Sequence, residues 1–137
     1  MVEPMNTMYA REDYLGADEY IDIVRKSGLN RPIEDRGRVE RMLAHANLIL
    51  TARQDGRLVG FARSLTDFCF CCYLSDLAVD KACQGQGIGK RLIEETRAQA
   101  GGDLTTTLLL SAPTAMTFYQ GIKMPNADNC FLYRRKR

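Results

Sequence analysis

The sequence predicts a mixed α/β domain, and three observations carry that expectation. The run from Leu74 to Leu110 reads as strand, helix, strand, a unit whose two strands pair in parallel. Ahead of it, "NLILTAR", "QDGR" and "LVGFARSL" read as an antiparallel hairpin turned at Asp55-Gly56. Ahead of both lie two stretches with helical spacing. At 137 residues the chain suits one domain with one core, spanning 1–137, and it shows no repeat, linker or low-complexity segment.

Each element follows from local pattern. "GADEYIDIVRKSGL" (16–29) is an amphipathic helix with Tyr20, Ile23 and Val24 on one stripe and Gly28 as its stop. "RPIEDRGRVERMLAHA" (31–46) is a second helix, opened by Pro32 and weakened by Gly37. The hairpin is followed by a long strand, "FCFCCYLSDLAV" (68–79), broken from the preceding one near Thr66-Asp67. "GIGKRLIEETRAQA" is a helix with Ile88, Leu92, Ile93 and Thr96 inward, ended by Gly101-Gly102. "TTTLLLS" (105–111) is continuous and apolar, as in strands buried on both faces. "TAMTFYQG" is a short helix after Pro113, and "NCFLYRR" (129–135) is a final strand with a basic tail.

Composition narrows the function classes. A net charge of +2 argues against a dedicated nucleic-acid binder, and the "RRKR" tail reads as a short solvated terminus. "MVEPMNTMYAREDYLG" has no apolar core of a signal peptide, and no apolar run reaches the roughly 18 residues of a membrane span. The five cysteines, Cys69, Cys71, Cys72, Cys83 and Cys130, are odd in number. With no export signal they predict reduced, strand-packed thiols in a cytoplasm. Together with the single His45 they lack zinc-finger spacing, so no metal is expected.

The stretch "DKACQGQGIGKRLIEE" (80–95) places three glycines just before a helix. The first amides of a helix have no internal partner and sit at the positive end of its dipole. Gly85, Gly87 and Gly89 let an anion approach those amides without a Cβ in the way, and Lys90 and Arg91 add charge. The anion expected is a pyrophosphate. A dinucleotide fingerprint starting at Gly85 fails because its third glycine falls on Lys90. A P-loop fails because Gly89-Lys90 is followed by Arg91, and its leading glycine would be Gln84.

The pattern that fits is Q/R-x-x-G-x-G/A, filled by Gln84, Gly87 and Gly89. Here the sequence resembles the GNAT superfamily of acyl-CoA-dependent N-acyltransferases. The resemblance runs through "LSDLAVDKACQGQGIGKRLIEE", resumes in "LSAPTAMTFYQGIKM", and covers most of the chain from about Tyr14. It implies a central mixed sheet of about six to seven strands with a splayed parallel pair, flanked by about four helices. It implies acetyl-CoA as cosubstrate, its pyrophosphate on the amides of Gln84, Gly85, Gln86, Gly87, Ile88, Gly89 and Lys90. The pantetheine arm would pair like a strand with Leu77, Ala78 and Val79.

The resemblance also assigns chemistry. Tyr119, four residues after Ala115, matches the family tyrosine that protonates the departing thiolate. The competing reading is a packed helix aromatic beside Phe118. Asp76 stands where family members often carry an acidic residue and is the candidate base; equally, it could be a strand carboxylate satisfied by an arginine. Arg63, Asp67 and Tyr73 could line the acceptor pocket or be structural, and His45 reads as a helix-end residue. Cys72 or Cys83 as an acylated nucleophile lacks a paired histidine. The expected reaction is direct attack by an amine, from a small molecule or a protein, in a ternary complex. The rival is a CoA-binding module that has lost catalysis, which the departure from the usual Gly-Phe pair at Lys123-Met124 favours. A homodimer through the final strand is a further expectation.

Overall fold

The structure, a computed structural model, describes residues 6–137; the first five residues of the stretch read above for a leader lie outside the described residues. One five-stranded sheet runs in the order β1-β2-β3-β4-β5, the first three pairings antiparallel and the last parallel. Its strands are β1 (Met8–Arg11), β2 (Leu48–Gln54), β3 (Arg57–Thr66), β4 (Cys71–Val79) and β5 (Thr106–Leu108). The helices are α1 (Ala17–Ser27), α2 (Arg36–His45), α3 (Ile88–Gln99) and α4 (Met116–Gly121). Among the described residues no helix is long and apolar enough to cross a membrane.

The sheet is covered on both faces. α1 and α2 pack Tyr20, Ile23, Val24 and Val39 against Ile49, Leu58, Phe61 and Ala78. α3 packs Ile88, Leu92 and Ile93 against Leu48, Leu50, Val59 and Leu74. β2 and β3 therefore read as near-continuous apolar runs. Their turn holds Asp55 (φ 51°) and Gly56 (φ 77°), the paired left-handed conformations that an Asp-Gly hairpin supplies.

Several expectations need correction. α2 starts at Arg36 rather than at Pro32, because the Asp35 carboxylate accepts the Arg38 amide at 3.0 Å and caps the helix there. β4 starts at Cys71 rather than Phe68. The Asp67 carboxylate accepts the amides of Cys69, Phe70 and Cys71 at 3.0, 2.8 and 3.0 Å, which holds Phe68 to Phe70 in a turn. Only Cys72 and Cys83 are buried, whereas Cys69, Cys71 and Cys130 are exposed. β1 was not foreseen: it is four residues long, mostly exposed, and carries no apolar alternation.

The largest correction concerns the C-terminal side. β5 is three residues long and partly exposed, not buried on both faces, because it ends the sheet with no strand beyond it. Residues 129–135 form no strand; Phe131 and Tyr133 are essentially fully exposed. The sheet thus has five strands, not six or seven.

α4 ends in a paired turn in which Met124 N–H donates to Tyr119 O and Lys123 N–H donates to Gln120 O, both at 3.0 Å. Lys123 carries φ 61°, a left-handed conformation that glycine adopts without cost. The Lys123-Met124 departure is therefore absorbed locally. Replacing Lys123 by Gly removes the strain but loosens the unfolded chain, so a net gain of about 0.5–1 kcal/mol is expected, read as a higher urea midpoint.

Candidate active site

The parallel ladder between β4 and β5 covers Cys71, Cys72 and Tyr73 alone, paired with Thr106, Thr107 and Leu108. Beyond Tyr73 the strands part, so β4 from Leu74 to Val79 has β3 on one side and no strand on the other. The predicted residues Leu77, Ala78 and Val79 lie on this open stretch. Backbone groups there are available to a linear amide-bearing ligand that adds itself as a strand.

The end of β4 leads directly into the glycine loop. Asp80 caps a short 3-10 turn over Lys81–Cys83 by accepting the Ala82 amide at 2.9 Å. Gln84 follows, its side chain reaching the Val79 carbonyl at 3.4 Å. Gly85 (φ 84°) and Gly87 (φ 80°) are left-handed, and a Cβ built on either would meet open space. Gly87 is the N-cap of α3, and its carbonyl accepts the Arg91 amide at 3.1 Å. The six amides of residues 85–90 donate to no other group of the described residues. They form an open cradle of donors at the positive end of α3, the kind of place where anions bind.

Gly89 serves a different purpose from the one expected. A Cβ there would stand 2.9 Å from the Phe118 ring, so its bareness admits α4 against α3. Arg91 is also spent locally, on Glu95 at 2.8 Å and on the face of Tyr9, which leaves Lys90 as the unpaired cation of the loop. Gln54, nearly fully buried on β2, donates to the Gln86 side chain at 3.0 Å and ties the loop to the sheet.

α4 brings Tyr119 against the α3-side core, edge-on to Phe118 at 5.0 Å. Burial pushes its hydroxyl above the ordinary tyrosine range, and the charge of Arg31 partly opposes that. Arg31 itself belongs to the other face, where it reaches Asp76.

Asp76 is fully buried. Its Oδ2 accepts Arg63 Nε at 2.6 Å and the Tyr20 hydroxyl at 2.8 Å, and its Oδ1 accepts Arg31 Nε at 2.6 Å. Burial alone would raise this carboxyl, but the hydrogen bonds and charges of Arg63 and Arg31 outweigh it and hold the group below its ordinary range. A carboxylate so occupied is a poor proton acceptor. This is the geometry of the alternative, a strand carboxylate satisfied by arginine: as a brace, Asp76 ties α1, β3, β4 and the α1–α2 loop together. Ser75, the extra residue of a β-bulge opposite Arg63 and Ser64, completes it by accepting from Arg31 and Arg63.

The profile of the GNAT acetyltransferase domain matches residues 27–122. The chain belongs to the GNAT acetyltransferase family. A chloroplastic serotonin N-acetyltransferase of rice (Oryza sativa subsp. japonica) is 30% identical over 124 residues, covering 85% of this chain and 61% of that protein. A chloroplastic GCN5-related N-acetyltransferase of Arabidopsis thaliana is 35% identical over 71 residues, covering 51% of this chain and 28% of that protein. The chain thus spans 61% and 28% of the length of these two relatives. Among solved structures, a GNAT-family acetyltransferase of Streptococcus pneumoniae superposes with TM-score 0.76 at 17% identity, covering 96% of this chain and 100% of that one. An aminoglycoside N-acetyltransferase solved with CoA gives TM-score 0.72 at 14% identity, covering 100% and 99%.

The other predicted residues can be placed against this geometry. Tyr73 is the last residue of β4 that pairs with β5, and it borders the split. Arg63 belongs to the brace. Asp67 is spent on its own turn, and its carboxyl is held below the usual range by the amides of Cys71, Cys69 and Phe70. His45 is exposed at the end of α2, away from these groups. Sequence reasoning missed Arg31 and Tyr20. Tyr20 was assigned to the core stripe and does lie there, but its hydroxyl reaches 56 positions along the chain to Asp76. The signal for Arg31 was slight: an arginine before a proline, in a segment that proline keeps extended.

Proposed function

We propose that this GNAT domain transfers the acetyl group of acetyl-CoA to an amine by direct attack in a ternary complex. The observation that carries this reading is the run of six undonated amides at residues 85–90, set immediately beyond the open end of β4. The thioester supplies an activated acetyl group and a thiolate leaving group. The chain supplies the rest: the amides of 85–90 and Lys90 for the diphosphate, with the Gln84 amide already donated to Lys81 O, and the open edge of Leu77, Ala78 and Val79 for the pantetheine arm. Tyr119 donates its proton to the departing sulfur. A tyrosine whose pKa burial has raised can still stabilise the departing thiolate, whose thiol titrates at about 8.5, through its hydrogen bond. Asp76 braces the site, and the proton of the attacking amine leaves to solvent. The alternative, a silent CoA-binding module, loses its motive, because the turn at Lys123 accommodates the departure that suggested it.

The test follows free thiol while the protein is incubated with acetyl-CoA and a panel of amines. Tyr119→Phe should lower kcat by roughly a hundredfold, the usual worth of a positioned acid, while CoA affinity stays within about threefold. Because burial raises the Tyr119 pKa, the donor is protonated across neutral and mildly alkaline pH. The alkaline limb it sets should vanish in the Phe variant. Tight CoA binding with no thiol released by any amine would establish the silent module instead.

A further inference from the structure

Tyr119 is carried by a helix that holds its place through a few side chains. α4 is six residues long, has no side-chain cap at its start and buries none of its residues fully. A helix that short does not keep its shape alone in water, so what it leans on sets its position. Tyr119 and Ile122 lean on the α3-side core. Phe118 leans on the glycine loop. Its Cζ stands 2.9 Å, and its Cε2 3.4 Å, from where a Gly89 Cβ would be, so the tip of the ring rests on bare backbone. Gly89 is the second residue of α3, is buried, and holds one of the six undonated amides.

The same ring also meets Tyr119, edge to face, with centroids 5.0 Å apart and planes at 73°. One aromatic therefore touches both the backbone of the cradle and the phenol of the proposed acid. A Cβ on Gly89 would force the ring to move, and the tyrosine packed on it would move too. Nothing else requires glycine here. Gly89 has no positive φ, the loop pattern accepts alanine at this position, and alanine keeps the N–H that an anion needs. What requires the bare backbone is Phe118.

We propose that Phe118, seated on Gly89, is a positioning residue: it sets the Tyr119 hydroxyl against the thioester by fixing α4 to the helix start that holds the diphosphate. The inference rests on the transferase reading above. Gly89→Ala tests it, because alanine keeps the amide and is the better helix former, so the fold should not suffer. The assay is thiol release from acetyl-CoA with the fastest acceptor among propylamine, phenethylamine, propanediamine and lysine. In Gly89→Ala, kcat should fall about tenfold while CoA affinity by calorimetry stays within about threefold. The alkaline limb set by Tyr119 should remain, since the acid is displaced and not removed. Phe118→Leu vacates the contested space, so adding it to Gly89→Ala should raise kcat rather than lower it further. In a Tyr119→Phe background, Gly89→Ala should cost less than about twofold, because the residue it acts through is gone. An unchanged kcat in Gly89→Ala, a CoA affinity that falls in step with kcat, or a loss that persists beside Tyr119→Phe would overturn the inference and leave the transferase standing. If Tyr119→Phe costs nothing, the acid reading fails and this one with it; CoA binding with no thiol released by any amine would sink the transferase as well.

Discussion

Gly87→Val should weaken CoA binding by about 100-fold or more, a loss of about 2.7 kcal/mol of binding free energy, while the protein stays folded. Gly87 sits at φ 80° as the N-cap of α3, and nothing of the chain stands within 4 Å of a Cβ built there. The new side chain would therefore occupy the space in front of the amides without clashing with the protein. Its left-handed backbone costs about 1–2 kcal/mol of stability. That strain needs a control. Gly102 has φ 59° and equally open surroundings just past the far end of α3 from the cradle. Gly102→Val should suffer a similar loss of stability with CoA affinity untouched. Calorimetry on both variants separates strain from lost cradle. Equal CoA affinities in the two would remove the cradle from residues 85–90, and with it the basis for the transferase reading.

Asp76→Asn should destabilise the fold by roughly 3–5 kcal/mol, since breaking a buried pair strands its partners. Here the stranded partners are two guanidinium groups, one of them almost fully buried. Against a total stability of about 5–15 kcal/mol this is a large fraction, visible directly in a urea titration. Arg63→Met combined with Asp76→Asn should cost less than the sum of the separate changes, because the two residues share one interaction. Acid provides an independent check. The folded state holds the Asp76 carboxyl below its unfolded value of about 3.9. Its contribution is therefore fully present above that value and fades as pH falls through the lower folded one. The wild-type chain should lose stability in that acidic window, and Asp76→Asn should lose much less there. A variant as stable as wild type but with kcat collapsed would restore Asp76 as the base and refute the brace.

Much of this molecule can be read from its residues. Helical spacing placed Tyr20, Ile23 and Val24 inward, and the structure buries all three. Asp55-Gly56 announced the hairpin, and the glycines at 85 and 87 announced positive φ, because few other residues tolerate it. These are local signals, written within a few positions of where they act. β1 and the true extent of β5 were illegible, because the length of an edge strand depends on which neighbours exist to pair with it. Gly89 was misread for a related reason: the side chain it makes room for, Phe118, lies 29 positions away in sequence.

The sequence by itself determined the family, the bare glycine loop that opens α3 and the helix that carries Tyr119, since a helix start needs only its own bare amides and periodicity needs only spacing. Tertiary structure alone decided what Asp76 does. A carboxylate on a strand can take a proton or hold an ion pair, and the choice rests on which cations arrive beside it. Arg31 and Arg63 arrive from 45 and 13 positions away, and only the packing of α1, the following loop and β3 around β4 brings them there.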